Sequence, residues 1–142
     1  MSDKLKAAVR ELYNRGWNRG DLLVIDELFA PEYHDHDAAA QTGKGGLDAA
    51  REFIEMFRAA VPDLHVEIEE QYAEGSTVTT RWTATGTHEG TLMGVPATHQ
   101  RVEVSGISID RFDEQGRFAE GWGNWDGIGL LRQIGALPTA SQ

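Results

Sequence analysis

The sequence predicts an α+β domain in which helices lie over a curved antiparallel sheet. Two observations carry this. Apolar residues recur every three or four positions up to Pro62, then every second position from Leu64 onward. The helical block also precedes the strands instead of alternating with them, which points to consecutive hairpin-joined strands and not to a parallel α/β sheet. The 142 residues suit one domain spanning 1–142, with no repeat or linker visible.

In order, Leu5, Ala8, Val9, Leu12, Tyr13 and Trp17 form one apolar stripe, and Gly16 and Gly20 punctuate its end. Asp21 is placed to cap a second helix bearing Leu22, Ile25, Leu28 and Phe29, which stops near Pro31. Glu32 to Gly46 reads as a long polar loop, a kind of segment that often carries function. A third helix runs from Leu47 through Ala50, Phe53, Ile54 and Phe57 to Ala60, with Gly43-Lys44-Gly45-Gly46 as the hinge before it.

The first strand places Leu64, Val66, Ile68 and Tyr72 on one side and His65, Glu67, Glu69 and Gln71 on the other. After the turn Glu74-Gly75-Ser76, Thr77 to His88 is a second strand with Val78, Trp82 and Ala84 on one parity. Gly90 to Gln100 is a connecting loop, Val102 to Phe112 a third strand, and Asp113-Glu114-Gln115-Gly116 a turn. Arg117 to Trp125 is the fourth strand, and a closing helix carries Leu130, Leu131 and Ile134, with Gly135 as its C-cap and Pro138 beyond. Three early helices covering a strongly bent sheet of four or more strands would enclose a cone-shaped cavity.

Composition narrows the function. Thirteen Lys and Arg against 23 Asp and Glu give a net charge of −10, which repels nucleic-acid phosphates and anionic membranes. The absence of cysteine excludes thiol catalysis and thiolate metal sites. With no signal-like start and no apolar run long enough to span a bilayer, a soluble cytoplasmic protein is expected.

Four strings resemble the SnoaL-like polyketide cyclases and ester cyclases of the nuclear-transport-factor-2-like (NTF2-like) superfamily. They are Trp17-Asn18-Arg19-Gly20-Asp21; Phe29-Ala30-Pro31-Glu32-Tyr33-His34-Asp35-His36-Asp37; Gly86-Thr87-His88 with Leu92-Met93-Gly94-Val95-Pro96-Ala97-Thr98; and Trp122-Gly123-Asn124-Trp125-Asp126 with Gly129-Leu130-Leu131-Arg132-Gln133-Ile134-Gly135. The resemblance implies an NTF2-like cone, a homodimer or higher oligomer packed through the sheet, and one hydrophobic pocket per chain. It also implies aldol ring closure of an aromatic polyketide ester without metal or organic cofactor, one pocket aspartate moving the proton.

Aligned on Gly129–Gly135, the family's aspartate falls at Gly123 and its histidine two residues earlier at Gly121. The Gln and His of the preceding strand fall at Gly106 and Ser108, and the Asn after the loop tyrosine at Asp35. Glycine cannot supply a base within reach of a substrate proton, so the acid–base group must lie elsewhere if the reaction is retained.

His34, Asp35, His36 and Asp37 form the densest ionisable cluster. In an extended segment the two histidines share one side and the two aspartates the other, and either pair could face the cavity mouth. Asp35, with His34 or His36, is the leading base because it matches a family pocket position. His-x-His also raises a metal site with His88 or His99 as third ligand, although no His-Glu-x-x-His pattern accompanies it. Asp126 is either a helix N-cap or, through a strand bulge, the replacement for Gly123. Asp110 shares parity with Gly106 and Ser108 and so either faces the pocket or is solvated at a strand end. Asp126 and Asp110 are the alternates to Asp35. Glu120 falls on the other face.

Tyr13, Trp17, Tyr33, Phe57, Trp82 and Trp125 are core aromatics that can also line a pocket. Ser108 and Trp17 are expected to orient a substrate oxygen, while Gly121 and Gly123 widen the cavity. The expected ligand is a small hydrophobic or aromatic carbonyl compound, turned over by cofactor-free proton transfer. Two other readings stay open: a non-catalytic binding or oligomerisation domain, and an epoxide hydrolase or hydratase requiring an Asp-Arg-Asp relay, for which Arg81 and Arg111 are the available arginines.

Overall fold

The computed structural model describes residues 2–137, so Met1 and Pro138, the latter expected beyond the last helix, lie outside the described residues. Helix α1 (Ser2–Glu11) runs directly into a π-helical turn (Leu12–Trp17), followed by α2 (Leu23–Leu28), β1 (Phe29–Asp35), α3 (His36–Thr42) and α4 (Gly46–Ala60). Strands β2 (His65–Glu74), β3 (Thr77–Thr87), β4 (Arg101–Phe112) and β5 (Phe118–Trp125) come next, and α5 (Gly127–Gln133) closes the chain. The sheet order is β1-β5-β4-β3-β2, with β1 parallel to β5 and every other pair antiparallel.

Two elements correct the expected loop at 32–46. Phe29–Asp35 is an edge strand that makes the sheet five-stranded and mixed. Pro31 and a register break between Phe29 and His34 hide it, and a missing N–H is tolerated at a sheet edge. His36–Thr42 is a short helix: the Asp35 carboxylate accepts the amide of Ala38 at 2.8 Å, and Gly43 ends it with φ 72°. A third correction concerns Tyr72. A bulge between Ile68 and Glu70 reverses the parity of β2, so Tyr72 points outward, 63% exposed, and donates its hydroxyl to Glu70.

The inner face of the sheet is set by alternation. Val78, Thr80, Val102, Val104, Asp110, Phe112 and Phe118 are buried, whereas Ile107, Ile109 and Trp122 stand on the outer face, substantially exposed. Phe118 stacks on Phe29 and lies tilted against Phe112, each at a centroid distance of 4.5 Å, and the three rings close one end of the core. Above them, α4 buries Ala49, Ala50, Phe53, Ile54 and Ala60, the single stripe expected of its spacing. None of the described helices is long and apolar enough to cross a membrane.

Candidate active site

The π-helical turn fixes one wall of the site. Its wider winding, with the amide of Asn18 bonded to the carbonyl of Tyr13 at 2.9 Å, brings both Tyr13 and Trp17 to the sheet side. Asn18 then ties this end to β2, accepting the amide of Val66 at 2.6 Å and donating to its carbonyl at 3.1 Å. Arg58 of α4 donates to the carbonyls of Trp17 and Asn18 at 2.8 and 3.1 Å. The aromatic ring of Trp17 is thereby held between sheet and helix, edge-on to Phe53.

Between these helices and the inner sheet face lies a cavity. Its volume is about 150 Å³, room for a small organic molecule. Aromatic rings dominate its wall: Trp17, Phe53, Phe57, Trp82 and Trp125, with Phe57 edge-on to Trp125 at 5.5 Å. The polar groups are few, namely Tyr13, Tyr33, Asp35, Asp37, Thr85, Ser108 and Asp110.

The sheet register explains how the aspartates meet. Gly121 on β5 is paired with Asp110 on β4 and with Asp35 on β1, so one inward row reads Asp35, Gly121, Asp110. A Cβ on Gly121 would stand 2.6 Å from the Tyr33 hydroxyl, 3.2 Å from Asp35 Oδ2 and 3.4 Å from Asp110 Oδ1. The next row repeats the device: a Cβ on Gly123 would meet Asp37 Oδ2 at 3.1 Å. The glycines therefore do not empty the pocket of chemistry. They make room for carboxyl groups arriving from β1, α3 and β4. Gly106 serves the same end, because the Trp82 ring lies over it and donates Nε1–H to Ser108 Oγ at 3.0 Å.

Each acidic side chain has a distinct environment. Asp35 accepts from Tyr33 Oη at 2.9 Å through one oxygen and caps α3 through the other. Asp37, half-buried, accepts from Trp125 Nε1 at 3.1 Å; burial, then the nearby Asp35, push its carboxyl upward against that hydrogen bond. Asp110 is 7% exposed and its carboxyl makes no hydrogen bond to any described residue. Burial, then the charge of Asp35, raise it to about 8. Tyr13 and Tyr33 are held well above the ordinary phenol range, by burial first, then chiefly by Asp110 at Tyr13 and by Asp35 at Tyr33, so both remain O–H donors.

Of the residues expected at the site, Tyr13, Trp17, Tyr33, Asp35, Phe57, Trp82, Ser108, Asp110, Gly123 and Trp125 line the cavity, and Gly121 lies directly behind Tyr33. His34, His36 and Asp126 do not. His34 and His36 stand on the outer face, edge to face at 4.5 Å, where His36 stacks on Trp122 and bonds Glu120 at 2.7 Å. Strand alternation sends them opposite to Asp35, and the turn into α3 then brings Asp37 inward. Asp126 is the N-cap of α5, accepting the amide of Gly129 at 2.8 Å. The metal alternative has no support: His88 is buried against Thr98, His99 is exposed and paired with Glu89, and no trio of metal-binding side chains occurs among the described residues. Of the two pairs that could face the cavity mouth it is the aspartates that do, so Asp37 lines the cavity with Asp35, while Phe53 and Leu92 are lining residues not expected from the sequence.

A bent sheet capped by helices around an aromatic-walled pocket, with aspartates on its inner face, defines an NTF2-like cone. The family model of the SnoaL-like polyketide cyclases matches residues 7–134, and the chain belongs to that family. Among solved structures it is similar to TsrD from Streptomyces laurentii, at 30% identity over 92% of this chain and 97% of that one, with a TM-score of 0.81. AclR from Streptomyces galilaeus, described as a candidate hydroxylase, is 31% identical over 96% and 98% of the two chains, with a TM-score of 0.81. IdmH from Streptomyces antibioticus, a candidate polyketide cyclase, is 29% identical over 92% and 98%, with a TM-score of 0.78. Comparison with curated protein sequences returned no match.

Proposed function

We propose that the chain catalyses cofactor-independent proton transfer on a small hydrophobic or aromatic carbonyl compound, as an aldol-type ring closure or isomerisation of a polyketide-like substrate. The observation that carries this is the Asp110 carboxyl: buried, without a hydrogen-bond partner among the described residues, and facing an aromatic-walled cavity. A carboxyl raised to about 8 is near-matched to neutral pH and can both take and return a proton. Asp110 removes the proton alpha to the carbonyl. Tyr13 donates its hydroxyl to the oxygen that gains charge, with Ser108 behind it and Trp82 fixing Ser108. In a ring closure the enolate carbon attacks a second carbonyl and Asp110 returns the proton to the resulting alkoxide. Asp35 orients Tyr33 and keeps negative charge beside Asp110.

The hydratase reading is disfavoured because Arg81 and Arg111 stand on the outer face, paired with Glu70 and Glu120. The binding-only reading rested on glycines at the catalytic positions, and the carboxyl groups beside those glycines remove its main support. We further propose that the chain acts as a homodimer joined through the outer sheet face, where Ile107, Ile109 and Trp122 are exposed.

The test is solvent exchange. With 2-acetonaphthone in D2O, the wild type should accelerate deuteration of the methyl group over buffer, and Asp110→Asn should remove most of that acceleration. Wild-type exchange equal to buffer across a panel of bicyclic aryl ketones would contradict enolate chemistry.

A further inference from the structure

The cavity has a charge preference that the proton-transfer reading does not require. Its polar lining holds three carboxyl groups, Asp35, Asp37 and Asp110, and no lysine, arginine or histidine among the described residues. Asp110 and Asp35 share one row at the inner sheet face. Asp37 stands apart, reaching in from the first turn of α3 over Gly123, and accepts from Trp125 Nε1 at 3.1 Å. Beside it the rings follow one another: Trp125 to Phe57 at 5.5 Å, Phe57 to Phe53 at 5.2 Å, Phe53 to Trp17 at 5.6 Å. A carboxyl at the end of a run of aromatic rings is an environment that a desolvated ammonium ion finds favourable, since ring quadrupole and carboxylate attract it together.

A second observation points independently to an occupant that brings a hydrogen-bonding group. Asp110 is more than nine-tenths buried and aims an unpartnered carboxyl into the same cavity. An anionic ligand would face this wall without a single counter-charge and at low dielectric. A cationic one would supply the positive charge that the lining lacks.

We infer that Asp37 is a specificity-determining residue that seats a protonated amine on the ligand, against Trp125 and Phe57. The substrate class is then an aromatic carbonyl compound bearing a basic nitrogen, and free carboxylic acids are rejected. This deepens the proposed function and rests on it for the carbonyl. The charge selection itself stands on the cavity alone.

Three probes of one size test it by titration calorimetry at pH 7: 2-naphthylmethylamine, 2-acetonaphthone and 2-naphthoate. The wild type should bind the amine about tenfold more tightly than the ketone and the naphthoate at least tenfold more weakly than the ketone. Asp37→Asn keeps an acceptor for Trp125, and it should bring the amine-to-ketone ratio close to one. Circular dichroism and the variant's ketone affinity establish that it is folded. An amine no tighter than the ketone, a preference that survives Asp37→Asn, or failure of all three probes to bind would each overturn the inference. If the amine preference holds while 2-acetonaphthone shows no catalysed exchange, the catalytic reading fails and the charge selection stands.

Discussion

Asp110 and Gly121 face each other across the β4–β5 ladder, and the missing side chain of the glycine is what lets the aspartate share its site with Tyr33 and Asp35. Gly121→Ala puts a methyl 2.6 Å from the Tyr33 hydroxyl, and overpacking of this kind costs about 1–3 kcal/mol. The expected outcome is a lower Tm together with loss of nearly all turnover. Gly123→Ala meets only Asp37, at 3.1 Å, and should be the milder of the two in both measurements.

Stability should fall as pH rises through Asp110's titration. Its carboxyl is raised from an ordinary value of 3.8 to about 8, so the folded state holds a proton that the unfolded state releases. The contribution is fully present below about pH 4 and is lost as pH climbs through 8. Carboxylates lowered by partners, such as Glu27, Asp63 and Glu120, act in the opposite sense but only below their ordinary values near 4. Between pH 5 and 9 the wild type should lose Tm more steeply than Asp110→Asn, as differential scanning fluorimetry would show. Equal slopes would place the titration elsewhere.

Rate should move the other way. With Asp110 as the base, kcat/KM should rise with pH and level off above about 8, following the fraction of Asp110 ionised. A profile already flat from pH 5 upward would exclude Asp110 from proton abstraction.

Tyr13→Phe removes the donor assigned to the developing oxyanion while leaving ring packing in place. A fall of about 10²–10³-fold in kcat with little change in KM is expected. Tyr33→Phe frees Asp35 from its 2.9 Å hydrogen bond, and so should change the pH profile more than the limiting rate.

Oligomerisation is tested separately. Ile109→Glu places a charge at the centre of the exposed outer face, beside Trp122 in the ladder. Light scattering after size exclusion should show a dimer for the wild type and a monomer for this variant. Identical masses would remove the sheet-face dimer.

Much of this fold was legible in the chain because periodicity is a burial signal. The stripe in α4 and the inward parity of Trp82 follow from it directly, whereas the pocket positions of Ser108 and Gly121 were legible through the family resemblance. β1 was not legible, since Pro31 and polar residues at an edge strand look like a loop to any reading based on alternation. α3 left a trace that counts as a missed signal: Asp35, then Ala38, Ala39 and Ala40, then Gly43 is a capped helix in miniature. The inward aspartates depended on both elements. Only once β1 lies parallel to β5 does Asp35 come level with Gly121, and no local pattern specifies which strand a distant edge segment will join. Asp126 shows the reverse case, because a residue directly before a helix of apolar spacing is explained by its capping bond alone.

The central assignment is a buried proton carrier at Asp110, and its titration can be observed without a substrate. Carbon-13 NMR of the aspartate carboxyl groups, with Asp110→Asn used to assign the resonance, follows that single group from pH 3 to 10. A midpoint near 8 is the predicted result. A midpoint in the ordinary carboxylate range near 4 would mean that Asp110 is ionised and solvated at neutral pH, and would contradict its role as the acid–base group of this cavity.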